Sequence, residues 1–252
     1  MIITKELNIK EIPTLLVEKQ AHENLALPTI IFFHGFESAK ENNLTLAYLL
    51  AKEDFRVILP EARYHGERCE SLTKEELAVS FWEIVKNNVV ELNQIKEELD
   101  AKKLILNERI GIAGTSMGGI TTAASLRKYN WIKTAVSLMG SPNLPLFAEQ
   151  LIDEYNKMAK KPIDKVEREA VVNDLYDYDL FSQEDKLNNR AIMFWHGLED
   201  KIVPIKHTKQ FIEKLNKPQY SNEIKFLEEA NRGHHLSRFA ILETVKWFEK
   251  HL

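Results

Sequence analysis

This sequence has almost no cysteine, no large excess of charge of either sign and no long apolar run. Its 252 residues include a single cysteine, Cys69, so no disulfide can form within the chain. The N-terminal residues lack the basic start and apolar run of a signal peptide, and no apolar stretch approaches the roughly 18 residues that cross a bilayer. We therefore expect a cytoplasmic protein without a membrane partner.

The balance of charges excludes a further class of partner. The chain has 34 Lys and Arg residues against 38 Asp and Glu residues, which is a formal net charge of -4 at pH 7. Such a chain has no basic excess with which to bind nucleic acid or an acidic membrane surface. Because the sequence also lacks repeats, low-complexity tracts and flexible linkers, we expect residues 1–252 to form a single domain.

Strand-like and helix-like segments alternate along most of the chain. After an opening pair of strands at residues 2–18, apolar runs typical of buried strands are followed by stretches with helical periodicity. This alternation predicts an α/β fold with a mostly parallel central sheet and helices on both faces. The predicted strands lie at residues 29–33, 55–59, 109–113, 133–139, 191–195 and 223–227, and the predicted helices at residues 40–52, 73–102, 120–129, 147–160 and 166–175, with one more at the C-terminus.

One short motif stands where a strand-like run meets a helix-like run. The segment Gly114-Thr115-Ser116-Met117-Gly118-Gly119 follows residues 109–113 and precedes residues 120–129. In this setting Gly-x-Ser-x-Gly is typical of a nucleophile elbow, a sharp turn that exposes the serine hydroxyl at the carboxyl edge of a sheet. A side chain at Gly114 or Gly118 would collide with neighbouring backbone, which explains the glycines. The motif predicts Ser116 as a nucleophile beside the first N–H groups of a helix.

A candidate acid follows the late strand-like run at residues 191–195. The chain continues as His196-Gly197-Leu198-Glu199-Asp200-Lys201 and then turns toward the next helix at Ile202-Val203-Pro204. An acid in the loop after a late strand can orient a catalytic histidine when the chain order is Ser, Asp, His. We select Asp200 for this role; Glu199 is the alternative acid, and a plain turn or cap aspartate is the structural alternative.

A candidate base follows the last strand-like run, at residues 223–227. The loop ends in Gly233-His234-His235, just before the terminal helix. A histidine at this point completes the order Ser, Asp, His, and the glycine that precedes it favours His234 over His235. The neighbouring Cys, Asp, Glu and His residues do not complete a set of metal ligands, so we expect no metal site.

The strand-like run at residues 29–33 ends in His34-Gly35-Phe36. A loop at that point can supply a backbone N–H group to a negatively charged oxygen. We predict an oxyanion hole formed by the N–H groups of Phe36 and Met117. His34 suits a hydrogen bond that fixes this loop better than it suits catalysis.

One segment interrupts the alternation of strands and helices. Residues 141–189 contain two helix-like stretches and an aromatic, acidic run at residues 176–181, but no convincing strand. An insertion at this point would lie over Ser116 as a small helical cap, and we predict that Phe147 and Tyr178 line the substrate pocket beneath it. The alternative is that these helices only cover the edge of the sheet.

Together these motifs resemble the α/β-hydrolase superfamily, and within it the bacterial esterases similar to prolyl oligopeptidases and dienelactone hydrolases. Residues 34–41 and 59–68 resemble the corresponding loops of small uncharacterised hydrolases of the Bacillus type. The resemblance implies an α/β-hydrolase fold. It also implies a Ser-Asp-His triad at Ser116, Asp200 and His234, and an oxyanion hole at Phe36 and Met117.

The chain departs from that family in two respects. Related hydrolases often have Asp where this chain has Glu61, and His65 and Glu67 in the same loop are expected to fix its shape. The 252 residues are also too few to include the propeller domain of true prolyl oligopeptidases, which puts peptidase activity in doubt.

The residues therefore predict a serine hydrolase that cleaves carboxylic esters of small molecules through an acyl-enzyme intermediate, without a cofactor. A peptidase or an acyltransferase with the same triad is the first alternative. A ligand-binding homologue without turnover is the second.

Overall fold

A computed structural model describes residues 1–159, 161–216 and 223–252 of the chain. Its strands are β1 (Ile2–Ile9), β2 (Ile12–Lys19), β3 (Leu27–Phe33), β4 (Arg56–Pro60), β5 (Ile105–Thr115), β6 (Thr134–Leu138), β7 (Ala191–Gly197) and β8 (Ile224–Glu229). Its α-helices are α1 (Leu44–Lys52), α2 (Lys74–Val79), α3 (Phe81–Ala101), α4 (Met117–Lys128), α5 (Leu144–Met158), α6 (Lys165–Leu175), α7 (Ile205–Leu215) and α8 (Arg238–His251).

The strands form one eight-stranded sheet in the order β1-β2-β4-β3-β5-β6-β7-β8. The pairs β1–β2 and β2–β4 are antiparallel, and all pairs from β4 to β8 are parallel. The predicted mostly parallel sheet is therefore confirmed, and the opening pair of strands is its antiparallel edge.

Helices cover both faces of the sheet because its inner strands are apolar on both sides. Every residue of β3 and of β6 is buried. On one face the core includes residues of α1 and α8, such as Leu50 and Phe248. On the other face it includes residues of α3, α4 and α7, such as Leu92, Leu126 and Phe211. Parallel strands buried on both faces in this way are typical of α/β folds.

Some helix boundaries differ from those predicted by the sequence. The stretch predicted as one helix over residues 73–102 is two helices, α2 and α3, that meet at Ser80. The Ser80 hydroxyl donates a hydrogen bond to the backbone oxygen of Glu76, a local bond that competes with regular helix geometry and favours a bend. The first turn of the helix predicted over residues 40–52 is a 3-10 turn, Lys40–Asn43, ahead of α1. The helix predicted over residues 147–160 is α5, and Lys160 lies outside the described residues.

The parallel strands bring several loops to one edge of the sheet. Because β3, β4, β5, β7 and β8 point the same way, the loops after their carboxyl ends lie on the same side, where ligands bind in open α/β sheets. Helices α5 and α6 fall between β6 and β7 in the chain. Among the described residues, none of the helices is long and apolar enough to cross a membrane.

Candidate active site

Ser116 stands at the sharp turn between β5 and α4. Its backbone has φ 57° and ψ -115°, a positive-φ conformation that L-residues rarely adopt. A Cβ atom at Gly114 would overlap the backbone of Gly118, and a Cβ atom at Gly118 would overlap the backbone of Phe33. Both glycines are therefore required for the turn to pack against β3, as the motif predicted.

The structure brings the three predicted triad residues into one hydrogen-bonded chain. The Ser116 hydroxyl oxygen lies 2.7 Å from Nε2 of His234, and Nδ1 of His234 lies 2.7 Å from Oδ2 of Asp200. With its proton on Nδ1, the imidazole donates to the carboxylate and leaves Nε2 free to accept the serine proton. The His234 side chain is 19% exposed and the Asp200 side chain is buried, so the chain runs from the interior to the accessible serine.

Four donors surround the Asp200 carboxylate. Oδ1 accepts hydrogen bonds from the backbone N–H groups of Ile202 at 2.8 Å and Val203 at 3.0 Å. Oδ2 lies 2.7 Å from Nδ1 of His234 and 3.2 Å from Nε2 of His196. Burial alone would raise the pKa of the Asp200 carboxyl, but the hydrogen bonds from His196, His234 and Ile202 outweigh it and hold this pKa well below its usual range. Asp200 therefore stays charged wherever the protein is folded at moderate pH.

The alternative acid and the alternative base lie elsewhere. Glu199 is exposed, and its backbone N–H group donates to the backbone oxygen of Arg232 at 2.8 Å. His235 is exposed as well. This hydrogen bond between Glu199 and Arg232 connects the loop after β7, which contains Asp200, to the loop after β8, which contains His234. It therefore holds the two loops together and keeps Asp200 close to His234.

The two predicted oxyanion donors belong to two segments that adjoin the serine, the start of α4 and the loop after β3. Met117 is the first residue of α4, and the N–H groups of a first helical turn have no partner within the helix. The loop after β3 packs directly on the elbow, because a Cβ atom at Gly35 would be 3.5 Å from the Ser116 Cβ. Phe36 follows in that loop, and its side chain lines the same cavity as Ser116. Both peptide groups thus belong to segments that adjoin Ser116, and their role as oxyanion donors stays a prediction.

Two histidines fix the loops after β3 and β4. Nδ1 of His34 lies 2.8 Å from the backbone oxygen of Gly35, and its Nε2 lies 3.0 Å from the backbone nitrogen of Ala62. Nε2 of His65 accepts the backbone N–H of Glu37 at 2.9 Å. Burial lowers the pKa of His65, which favours the neutral ring that accepts this bond. Both histidines act on loop shape, as the sequence indicated.

Glu61 and Lys40 form a buried ion pair beneath these loops. Oε1 of Glu61 accepts from the backbone N–H of Lys40 at 3.2 Å and lies 3.0 Å from Nε2 of His34. Its Oε2 is 3.2 Å from the Lys40 ammonium, which also contacts Glu41 at 2.7 Å and the carboxylate of Glu67. Burial would lower the pKa of Lys40, but these three carboxylates raise it above its usual range. The ammonium thus occupies the centre of the one acidic cluster that could otherwise hold a cation within the described residues.

A cavity of about 420 Å³ opens beside Ser116 between α3 and the pair α5 and α6. Phe147 of α5 lines it, as predicted. Tyr178 is not among the lining residues, so its assignment to the pocket was wrong. Its ring lies against the Lys128 ammonium, 4.3 Å from the ring centroid. Lys128 is the last residue of α4, and Ser116 directly precedes the first residue of this helix. At 1.5 Å per residue the two ends of α4 are roughly 16 Å apart, and Tyr178 lies at the end away from Ser116.

Sequence reasoning missed other parts of the site. His196 follows an apolar strand as His-Gly, just as His34 does, and this repeated pattern is a signal that could have identified it. The neighbouring aromatic residues Phe81 and Trp82 at the start of α3 line the cavity. Only the folded chain shows that this end of α3 lies at the same cavity as Ser116.

Comparison with known proteins identifies the family. Residues 45–252 match the prolyl oligopeptidase family, which is well over half of the chain. The chain belongs to the prolyl oligopeptidase family. It is 43% identical to "Putative esterase YitV" of Bacillus subtilis (strain 168) over 258 residues, which cover 100% of both chains. It is 24% identical to "Esterase YjfP" of Escherichia coli (strain K12) over 252 residues, again 100% of both chains.

A solved structure supports the same assignment for the fold. The crystal structure of TT1662 from Thermus thermophilus has a TM-score of 0.76 to this chain at 18% identity, with 100% of each chain covered. At that identity the likeness concerns the fold alone. As a member of the prolyl oligopeptidase family with the α/β-hydrolase fold, the protein is a hydrolase, and the resemblance drawn from its sequence is confirmed.

Proposed function

We propose that the protein is a serine esterase that hydrolyses carboxylic esters of small molecules through an acyl-enzyme intermediate. The observation that carries this proposal is the continuous chain from Ser116 through His234 to Asp200, with both contacts at 2.7 Å. A serine hydroxyl is a weak nucleophile until a neighbouring base accepts its proton, and this chain supplies such a base in the required geometry.

Acylation follows from that geometry. Oγ of Ser116 attacks the ester carbonyl carbon while its proton passes to Nε2 of His234. Asp200 holds the imidazole by Nδ1 and stabilises the positive charge that forms on it. The N–H groups of Phe36 and Met117 stabilise the negatively charged carbonyl oxygen, and the loss of one such donor typically raises a barrier by about 3 kcal/mol. The tetrahedral intermediate then collapses, and Nε2 gives its proton to the leaving alcohol.

Deacylation repeats these steps with water. A water molecule gives one proton to Nε2 of His234 as its oxygen attacks the acyl carbon. Collapse of the second tetrahedral intermediate returns the proton from Nε2 to Oγ of Ser116 and releases the carboxylic acid. This cycle consumes one water and leaves the enzyme unchanged, so the proposal requires no cofactor.

An ester is favoured over an amide for two reasons. An alcohol leaves a tetrahedral intermediate more readily than an amine does, so an ester makes a smaller demand on the general acid. The relatives named above, which the chain matches over its whole length, are also named as esterases. Peptide hydrolysis and acyl transfer use the same triad and are separated from ester hydrolysis by their products. The small-molecule ester partner and the cytoplasmic location stay predictions.

Burst kinetics test the proposal. Mixing the purified protein with excess p-nitrophenyl butyrate should release about one equivalent of p-nitrophenol rapidly wherever deacylation is slower than acylation, followed by steady turnover. Ser116→Ala should abolish both phases while its thermal unfolding stays close to that of the wild type. Equal turnover by Ser116→Ala would reject the proposal. Hydrolysis of a panel of matched amides then separates a peptidase from an esterase. Analysis of the products formed with an added alcohol or amine separates an acyltransferase from an esterase.

A further inference from the structure

We propose that the cavity beside Ser116 binds the acyl part of the substrate, and that this acyl group is uncharged, apolar and about six or more carbons long. The inference rests on the proposed esterase function and names its substrate class. Three properties of the cavity carry it: its position relative to His234, the chemistry of its lining and its size.

The position of the cavity assigns it to the acyl group. In an ester hydrolysis, the oxygen of the leaving alcohol has to reach Nε2 of His234 to receive a proton. His234 is not among the described residues that line the cavity, whereas Ser116 and Ile120, one helical turn further along α4, are. A group that extends from the acyl carbon on Oγ of Ser116 therefore enters the cavity, and the alcohol lies on the side of His234.

A contiguous part of the cavity wall is made of aromatic rings. The ring centroids of Phe36 and Phe81 are 5.4 Å apart, and those of Phe81 and Trp82 are 5.0 Å apart, in edge-to-face geometry. Phe147 joins this group with its centroid 6.1 Å from that of Trp82. Aliphatic side chains complete the lining, among them Ile152 and Val171. Such a surface gains free energy from every apolar group that it removes from water.

The charged residues of the lining already have partners. Lys86 of α3 forms an ion pair with Asp174 of α6, and Glu83 lies 2.6 Å from the guanidinium of Arg63. All of these side chains are partly or largely exposed, so they lie on the solvent side of the cavity. A carboxylate or an ammonium on the acyl group would enter an aromatic site without a partner for its charge, which is costly.

The size of the cavity sets the length of the acyl group. At the roughly 30 Å³ that one water molecule occupies in the liquid, about 420 Å³ has room for about a dozen heavy atoms. An acetyl group has three heavy atoms and would leave most of the aromatic wall in contact with water. A hexanoyl or octanoyl chain would cover it.

A series of p-nitrophenyl esters from acetate to octanoate measures this preference. We expect kcat/KM to rise by at least about tenfold from acetate to octanoate, because each added methylene transfers apolar surface into the cavity. The octanoate ester should also exceed p-nitrophenyl hydrogen suberate, an acyl chain of the same length that ends in a carboxylate, by at least about tenfold.

Two substitutions on α6 tie the preference to the cavity. Val171 lines it, whereas Val166 on the same helix is 75% exposed and is not among the lining residues. Val171→Asp should lower the ratio of kcat/KM for octanoate to that for acetate by at least about tenfold. Val166→Asp, the matched control, should leave this ratio and the rate on each ester unchanged. Leu151→Trp provides a second variant, without a new charge, that narrows the cavity and should move the optimum to shorter chains.

The results separate this inference from the proposed function. A rate that is flat or falls with chain length, together with a burst on the acetate ester, would overturn the acyl inference and leave the esterase intact. The inference would also be overturned if Val171→Asp and Leu151→Trp both fold and keep the wild-type ratio of octanoate to acetate. Absence of turnover on every ester would instead reject the proposed function.

Discussion

Nε2 of His196 lies 3.2 Å from Oδ2 of Asp200, the same oxygen that accepts the hydrogen bond from His234. This nitrogen also lies 2.8 Å from the backbone oxygen of Val203. Because both neighbours are acceptors, the ring carries its proton on Nε2 and donates to them. His196 is 1% exposed, so this donor holds the acid in place without competition from water.

Loss of the His196 donor should therefore slow catalysis. His196→Phe keeps a ring but removes the hydrogen bond, and we expect kcat to fall by between about 10-fold and 100-fold, the range for one bond to a buried charge. KM should change little, since His196 does not line the cavity. His196→Gln, which retains a donor, should recover most of the rate. If kcat falls equally in His196→Phe and His196→Gln, and in proportion to the loss of thermal stability in each, the role of His196 is purely structural.

The assignment of the base is tested by two adjacent histidines. His234→Ala removes the only described imidazole in contact with Ser116 and should lower kcat/KM by at least about a thousandfold. His235→Ala removes an exposed side chain and should stay within about threefold of the wild type. Steady-state rates on one ester are sufficient for the comparison. The reverse ranking would move the base to His235.

Asp200 offers a comparable pair with Glu199. Asp200→Asn should lower kcat by about four orders of magnitude, because an amide in place of the carboxylate favours the wrong tautomer of His234. Circular dichroism should show that the fold is retained. Glu199→Gln changes an exposed side chain and should have little effect. If Glu199→Gln lost most of its activity while Asp200→Asn stayed active, the assignment of Asp200 as the orienting acid would be contradicted.

The buried His207 makes stability depend on pH. Burial, with the nearby charge of Lys206, lowers its pKa to about 4. The unfolded chain takes up a proton on this residue below about pH 6.5, which the folded protein does not do until about pH 4. Stability therefore falls as the pH is lowered through this window, by about 3 kcal/mol from this group.

Urea unfolding at several pH values between 4.5 and 7 measures this effect. His207→Gln cannot titrate there, so its free energy of unfolding should fall less steeply on acidification than that of the wild type. Parallel curves for the two proteins would show that His207 is not the group responsible.

The sequence was sufficient to predict the parts of the site that depend on a short segment of the chain or on the order of strands and loops along it. The glycines around Ser116 follow from the sterics of one turn, and Asp200 and His234 follow from loops after successive strands at one sheet edge. Contacts between distant segments could not be derived in this way. Lys40 and Glu61 form their ion pair only because β3 and β4 are neighbours in the sheet. The chain contains many charged residues, so the sequence does not indicate which of them pairs with Lys40 or with Glu61.

The pocket shows the same limit. Helical periodicity indicates that the residues of α5 share a face, and Phe147 on that face does line the cavity. Periodicity does not say what the face packs against, so Tyr178 was assigned to the pocket although its ring lies at the far end of α4. Trp82 was missed because α3 was predicted to run without a break from residue 73, whereas it begins after Ser80 and Trp82 lines the cavity.

Covalent labelling tests the identity of the nucleophile most directly. Folded protein treated with a small fluorophosphonate should gain the mass of one phosphonyl group, and tandem mass spectrometry should place it on Ser116, because only an activated serine reacts at a useful rate. Ser116→Ala should gain no mass, and His234→Ala should react far more slowly than His235→Ala. An adduct on any other residue, or no adduct on the folded wild type, would contradict the assignment of Ser116 as the nucleophile.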